Sequence, residues 1–199
     1  SLSSVRAHHQ QGAIHWHYFK KLTPTILLGA FCGALLTQLM SFDFMRLFFA
    51  IFELIAAAIL FFGLSSSRHI DHLANWVWRL TGYIIGLISA IVGIGGGTMT
   101  TPFLTYNNVN IKNAIATSAA VGLPIAIAGA LGFVVAGWNI ESSTSSLGFI
   151  HTKALISIVV MSVVFAPLGA KVAHSTDGKK LKKFFALFLA FLGVSVLVF

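Results

Sequence analysis

Six apolar stretches, each nearly free of charge, occupy most of this chain: Leu22 to Met40, Phe44 to Leu64, Leu80 to Leu104, Ala114 to Trp138, Ala154 to Ala170 and Phe184 to Phe199. A bilayer core is about 30 Å thick and a helix rises about 1.5 Å per residue, so about 20 apolar residues cross it. Inside lipid every backbone N–H and C=O must find a partner in the protein, which a helix supplies from within its own segment. Only short loops remain between the stretches, too little for a soluble domain. Of the 199 residues 9% are charged and 57% hydrophobic, against about 25% charged in soluble domains. The expected fold is therefore an all-α integral membrane protein, a polytopic helical bundle of about six spans. It forms one domain over residues 1–199, with the lipid bilayer as partner. Its expected place is the bacterial inner membrane or an equivalent cell membrane, crossed many times.

The third stretch contains its own contradiction. "GIGGGTMTTP", Gly93 to Pro102, follows the apolar run "YIIGLISAIV", where each glycine weakens a helix by about 1 kcal/mol and a proline by about 3 kcal/mol. Broken helix at membrane depth is tolerated only where it is buried in protein or lines a watery cavity. Gly93, Gly95, Gly96 and Gly97 permit such a break and let a ligand approach the backbone. Thr101 followed by Pro102 reads as an N-cap and first helical residue that restart a short helix. The positive end of its dipole would face the break and attract an anion. Thr98, Thr100, Thr101, Thr117 and Ser118 add neutral hydroxyl donors, which hold an oxyanion and still release it. Discontinuous helices at a midplane site are used in this way by transporters.

The competing reading is close packing, because Gly29 with Gly33, Gly82 with Gly86, and Gly93 with Gly97 are all Gly-x-x-x-Gly pairs. The density of glycine between Gly93 and Gly97, with Thr-Pro beyond, weighs toward a site. Neither Gly-x-Gly-x-x-Gly nor a Gly-Lys-Ser/Thr ending is present, so the stretch is no nucleotide fingerprint.

Sliding the sequence on itself by 136 residues superposes Gly12, Ile14 and His15 on Gly148, Ile150 and His151, Gly33 and Ala34 on Gly169 and Ala170, and Phe48, Phe49, Ala50 and Phe52 on Phe184, Phe185, Ala186 and Phe188. Residues 1–64 then read as the C-terminal part of a first repeat and 65–199 as a second. The repeat partner of the glycine stretch would lie upstream of Ser1. Since the chain opens without methionine, an N-terminal truncation is expected.

These features resemble the sulfite exporter TauE/SafE family of membrane transporters: "GLISAIVGIGGGTMTTPFLTY" followed by "NAIATSAAVGLP", then "SLGFIHTKAL", and near the start "SSVRAHHQQGAIHW" before "LTPTILLGAFCGALL". Family members have about eight spans and two glycine clusters, whereas this chain shows six and one. The resemblance implies an internally repeated transporter fold that exports a small inorganic or organosulfur anion, sulfite or an organosulfonate, by alternating access. It implies no cofactor. A channel-like or structural membrane subunit is the alternative, and a homo-oligomer stays open.

The net charge of +8 comes from loops beside apolar spans, as headgroups and the positive-inside rule require, so no nucleic-acid partner is expected. If the glycine segment enters and returns on one side, Arg6, Lys20, Lys21, Arg68, Arg79, Lys112 and the loop with Lys171, Lys179, Lys180, Lys182 and Lys183 share a face, opposed by Arg46 and Lys153. The window from Leu80 to Leu104 is therefore expected to be re-entrant and the two halves inverted. Glu53, mid-span, is a candidate for carrying a coupling proton. His15 and His151, related by the repeat, are candidates for polar groups at the two ends of a pathway. His8 with His9, His15 with His17, and His69 with His72 lie close in sequence, but no cysteine or carboxylate cluster joins them, and Cys32 is the single cysteine. No metal site is expected. Trp16, Trp76, Trp78 and Trp138 read as interfacial anchors. Without a paired acid and base or a nucleophile beside a base, the chain is not expected to be an enzyme.

Overall fold

The computed structural model describes residues 2–63, 74–93, 95–138 and 146–198. Within these residues eight helices follow one another: α1 (Leu2–Gln10), α2 (Trp16–Leu36, extended by a 3-10 turn at Thr37–Leu39), α3 (Phe42–Phe61), α4 (Asn75–Val92), α5 (Gly97–Tyr106), α6 (Ile111–Ala136), α7 (Thr152–Ser175) and α8 (Gly178–Val198). A two-residue antiparallel hairpin, β1 (Ser146–Leu147) with β2 (Ile150–His151), precedes α7. Among the described residues, α2, α3, α4, α6, α7 and α8 are long and apolar enough to cross a membrane. The protein is a multi-pass, all-α membrane protein.

The apolar window from Leu80 to Leu104 is split between two of these helices. Val92 ends α4, Gly93 turns the chain at φ 73°, and α5 starts at Gly97. At about 1.5 Å per residue α4 is about 27 Å long, close to a full span, whereas α5 reaches about 15 Å, half of one.

Side-chain neighbours fix the directions. Gly82 lies against Leu22 and Thr25, Gly86 against Ile26 and Ala30, and Gly33 against Leu87, so α2 and α4 run parallel. His15 bonds Asn113 and Thr117 at one end of α6, and Gly132 meets Phe31 and Ala34 at the other, so α6 runs the same way. α5 runs back: Met99 lies beside Ser89, Thr101 beside Ser118, and the Phe103 ring 5.9 Å from that of Trp78. α7 opposes α6, with His174 held by Lys112 at one end and Leu155 near Phe133 at the other.

The α2–α4 seam explains four of the glycines. A Cβ on Gly29 would meet the Tyr83 carbonyl and the Leu87 amide, and one on Gly86 the Ile26 carbonyl; both obstacles are backbone. The two backbones touch, which is the advantage of small residues where lipid offers no hydrophobic drive. Around this seam lies the larger buried cluster, including Leu22, Ile26, Trp78, Ile85, Leu104, Val121 and Ile125. Trp78, expected as an interfacial anchor, is 1% exposed: Tyr18 stacks on it and Lys21 sits 5.1 Å from its ring centroid. Trp16, Trp76 and Trp138 stay exposed.

These directions gather the basic residues. Lys20, Lys21, Arg79, Lys112, Lys179, Lys180, Lys182 and Lys183 lie at the end where α2, α4, α6 and α8 begin. Arg46, beside Val92 and Val196, and Lys153 lie at the other. Arg68, His69, His72 and the loop bearing Glu141 lie outside the described residues.

Candidate functional site

The α5 N-terminus is placed by its neighbours on α6. A Cβ on Gly96 would meet the side chains of Ile125 and Val121, residues near the middle of α6, so the break sits about halfway through the bundle. Gly96 is the N-cap, and no side chain caps the helix. The Thr100 amide already donates to the Gly96 carbonyl at 2.8 Å. That leaves the amides of Gly97, Thr98 and Met99 as the donors a helix cannot satisfy internally, at the positive end of its dipole.

Close packing accounts for Gly96, which lies against Ile125 and Val121, but not for its neighbours in the cluster. Among the described residues, a Cβ on Gly93, Gly95 or Gly97 would have nothing within 4 Å, in contrast to Gly29, Gly33, Gly82 and Gly86. Gly95, Gly96, Gly97 and Thr98 line a cavity of about 710 Å³ with Ser118, Gly122, Leu123 and Ala126 of α6, Ile158, Val159, Ser162 and Val163 of α7, and Leu2 to Ser4 of α1. Gly93 lines a neighbouring cavity of about 260 Å³ on the side toward Phe133 and Leu155. Thr101 and Ser118 line a third, of about 250 Å³, on the basic side.

The expected N-cap at Thr101 is overturned: α5 has already begun four residues earlier, and Pro102 stands inside it. The reason lies in Gly96 and Gly97, which start the helix as soon as the chain has turned. Proline's missing N–H then acts at a distance, since it leaves the Thr98 carbonyl without its helical donor. Pro102 itself faces an apolar groove with Phe52, Thr81 and Tyr106, away from the break.

The hydroxyls divide. Ser118 donates to the Ile115 carbonyl at 2.9 Å, so its 2.8 Å contact with Thr101 takes the Thr101 proton; both protons are engaged. Thr117 accepts from the His15 amide at 3.0 Å and lines none of the three cavities. Thr100 is fully buried, its Oγ1 without a partner among the described residues.

Glu53 of α3 is brought to the same place. It is 1% exposed, its carboxyl is hydrogen-bonded with the Thr98 side chain, and Oε2 has no partner among the described residues. The glycine break and the mid-span carboxyl, far apart in sequence, are one constellation. His15 and His151 lie at opposite ends, each preceding a helix, α2 and α7. Neither lines these cavities.

Sequence reasoning named Ser118 of α6 but missed the rest of the α6 wall and all of the α7 wall. The signal available for α6 was "AVGLP": a Cβ on Gly122 would lie 3.9 Å from the Gly96 amide nitrogen, and Pro124 frees the Ala120 carbonyl. For α7 it was Pro167, which frees the Val163 carbonyl; the Ser3 hydroxyl donates to that oxygen at 3.0 Å.

A multi-pass bundle whose mid-depth cavity is lined by a discontinuous helix defines the class as a membrane transporter. The chain belongs to the sulfite exporter TauE/SafE family, whose model matches residues 1–196. A Haemophilus influenzae protein named "Probable membrane transporter protein" is 32% identical over 197 residues, covering 98% of this chain and 75% of that one. A protein of the same description from Methanocaldococcus jannaschii is 26% identical, covering 100% and 74%, and one from Bacillus subtilis, YdhB, 23%, covering 95% and 75%. No solved structure gives a significant match.

Proposed function

We propose that this protein moves a small oxyanion, sulfite or an organosulfonate, across the membrane, and that the break between α4 and α5 holds it. The observation that carries this reading is the uncapped start of α5 at mid-depth, open to the cavity of about 710 Å³. The amides of Gly97, Thr98 and Met99 supply the contacts, with the Thr98 hydroxyl as an adjustable donor; Thr100, buried beneath Gly96, would have to turn toward the break to join them. Thr101 and Ser118 brace α5 against α6, and Gly93, Gly95, Gly96 and Pro102 shape the backbone. Thr117 ties the start of α6 to His15.

Glu53 supplies the coupling. An ionised carboxylate and an oxyanion compete for the same Thr98 donor and repel each other in a medium where charges interact strongly. Anion binding therefore favours protonated Glu53, and anion and proton travel together.

Alternating access is supported by the two related halves. α2 and α7 start 136 residues apart, at Trp16 and Thr152, and so do α3 and α8, at Phe42 and Gly178. Gly12 and Gly148 share a positive φ, 62° and 59°. α7 runs opposite to α2, the direction that inversion of the halves 1–64 and 65–199 in the membrane would require.

Flux of labelled sulfite from proteoliposomes tests this. Thr98→Val should lower the rate at least about tenfold, because a hydrogen bond to a charged group contributes about 1.5–3 kcal/mol, and Gly96→Val should lower it comparably by displacing the break from Ile125 and Val121. Wild-type flux without saturation would indicate a channel, and unchanged flux in both variants would remove the break from the pathway.

A further inference from the structure

A second site lies between the break and the basic end. The cavity of about 250 Å³ there is lined by Ser4 and His8 of α1, Gly97 and Thr101 of α5, Ser118 of α6, and Gly169 and Ala170 of α7, among others. His8, 4% exposed, faces His174 of α7, with Nδ1 and Nε2 3.0 Å apart and the rings edge to face. Lys112 of α6 fixes His174 by donating from Nζ to its carbonyl at 2.7 Å. The lining residues from α5, α6 and α8 carry no charge. Each imidazole and Lys112 are thus the titratable groups acting on the pair.

Two imidazoles in this contact share one proton: one nitrogen donates and the other accepts. A further proton on either ring preserves the bond and leaves one positive charge in a cavity that the Ser4 side chain also lines, the Thr101 and Ser118 protons being already engaged. Burial, and next the neighbouring His174, push His8 down to about 4. An anion in the cavity opposes both effects, because it compensates the charge that burial penalises.

We propose that this cavity is a second oxyanion station, loaded by protonation of the His8–His174 pair. The ligand class rests on the function proposed above, and the test separates the two. A proton taken up with each anion gives the station an affinity that rises as pH falls; the break site's own coupled proton sits on Glu53, and Glu53→Gln removes it without touching the histidine pair.

Sulfate is a suitable probe, since its charge stays constant across the range. Calorimetric titration of the chain in nanodiscs, from about pH 7.5 to about pH 5, should show a binding component that strengthens by up to roughly tenfold per pH unit, the slope for one coupled proton. His8→Gln and His174→Gln should each remove that component, with unfolding midpoints confirming that they are folded. Gly96→Val and Glu53→Gln should retain it. If both histidine variants keep the pH-dependent component, or only Glu53→Gln loses it, the station is overturned while the break reading stands. If Gly96→Val binds sulfate as the wild type does at every pH while the histidine variants lose all binding, the station stands and the break reading fails.

Discussion

Gly93 and Gly97 stand four residues apart, yet they serve different needs. Gly93 holds φ 73°, where a side chain costs about 1–2 kcal/mol; Gly93→Ala should lower the detergent unfolding midpoint accordingly. Gly97 is already helical and meets nothing. Gly97→Ala should therefore stabilise the protein by up to about 1 kcal/mol while slowing sulfite flux, because its methyl occupies the mouth of the cavity. Opposite signs of the stability change, read by thermal unfolding, separate a turn glycine from a ligand-approach glycine. The sequence made the cluster conspicuous but not this division, since φ and open space depend on what α6 brings alongside. Glu53 was legible as an anomaly, but its neighbour Thr98 was not. Its proposed role predicts that Glu53→Gln keeps anion binding while flux loses its dependence on a proton gradient. At His8 the sign is set by burial: the unfolded chain takes up its proton near pH 6.5 and the folded one near pH 4. Stability is whole above about 6.5 and falls as pH drops through that interval. In oxyanion-free buffer, His8→Gln should flatten that fall.

Helices differ in how plainly their sequences announce them. α2, α3, α6, α7 and α8 follow from apolar length alone, because lipid leaves an unbroken apolar segment no alternative to a helix. Their ends were less legible: α2 begins at Trp16, before the apolar stretch, and the basic Lys20 and Lys21 lie inside it. Apolar composition alone does not distinguish a full helix from one that turns back, so in the third window only the glycine cluster and the charges signalled the break. Thr-Pro misplaced the start of α5 for a related reason, since proline's restriction applies to its own N–H and says nothing of glycines upstream. Packing was legible only as a motif. Gly29 and Gly86 are contacted by opposing backbone, so Gly86→Val should cost about 1–3 kcal/mol through overpacking. Gly95→Ala, with open space around it, should cost far less, and paired unfolding curves check the contrast.

Parity ties the parts to the membrane. With α5 returning beside α4, α6 starts on the face where α2 and α4 started, and α7 brings the chain back there for α8. The charges obey the same count: Lys20, Lys21, Arg79, Lys112 and the α8 lysines share one face, and Arg46 and Lys153 the other. Had the glycine segment crossed, Lys112 would oppose Arg79, the basic residues would divide almost evenly, and the helix pair linked by the 136-residue displacement would run in the same direction. Charge distribution pointed to a path that returns to its starting side, and α5 lies antiparallel to α4; the cavity walls were not legible, being assembled from five helices. The corresponding experiment labels single cysteines in a Cys32→Ser background, using a membrane-impermeant thiol reagent on intact cells and on inverted vesicles. Lys112→Cys and Lys180→Cys should react in the same preparation and Lys153→Cys in the other. Should Lys112→Cys react with Lys153→Cys instead, α5 crosses the membrane, and the half-helix site at mid-depth goes with the topology that places it there.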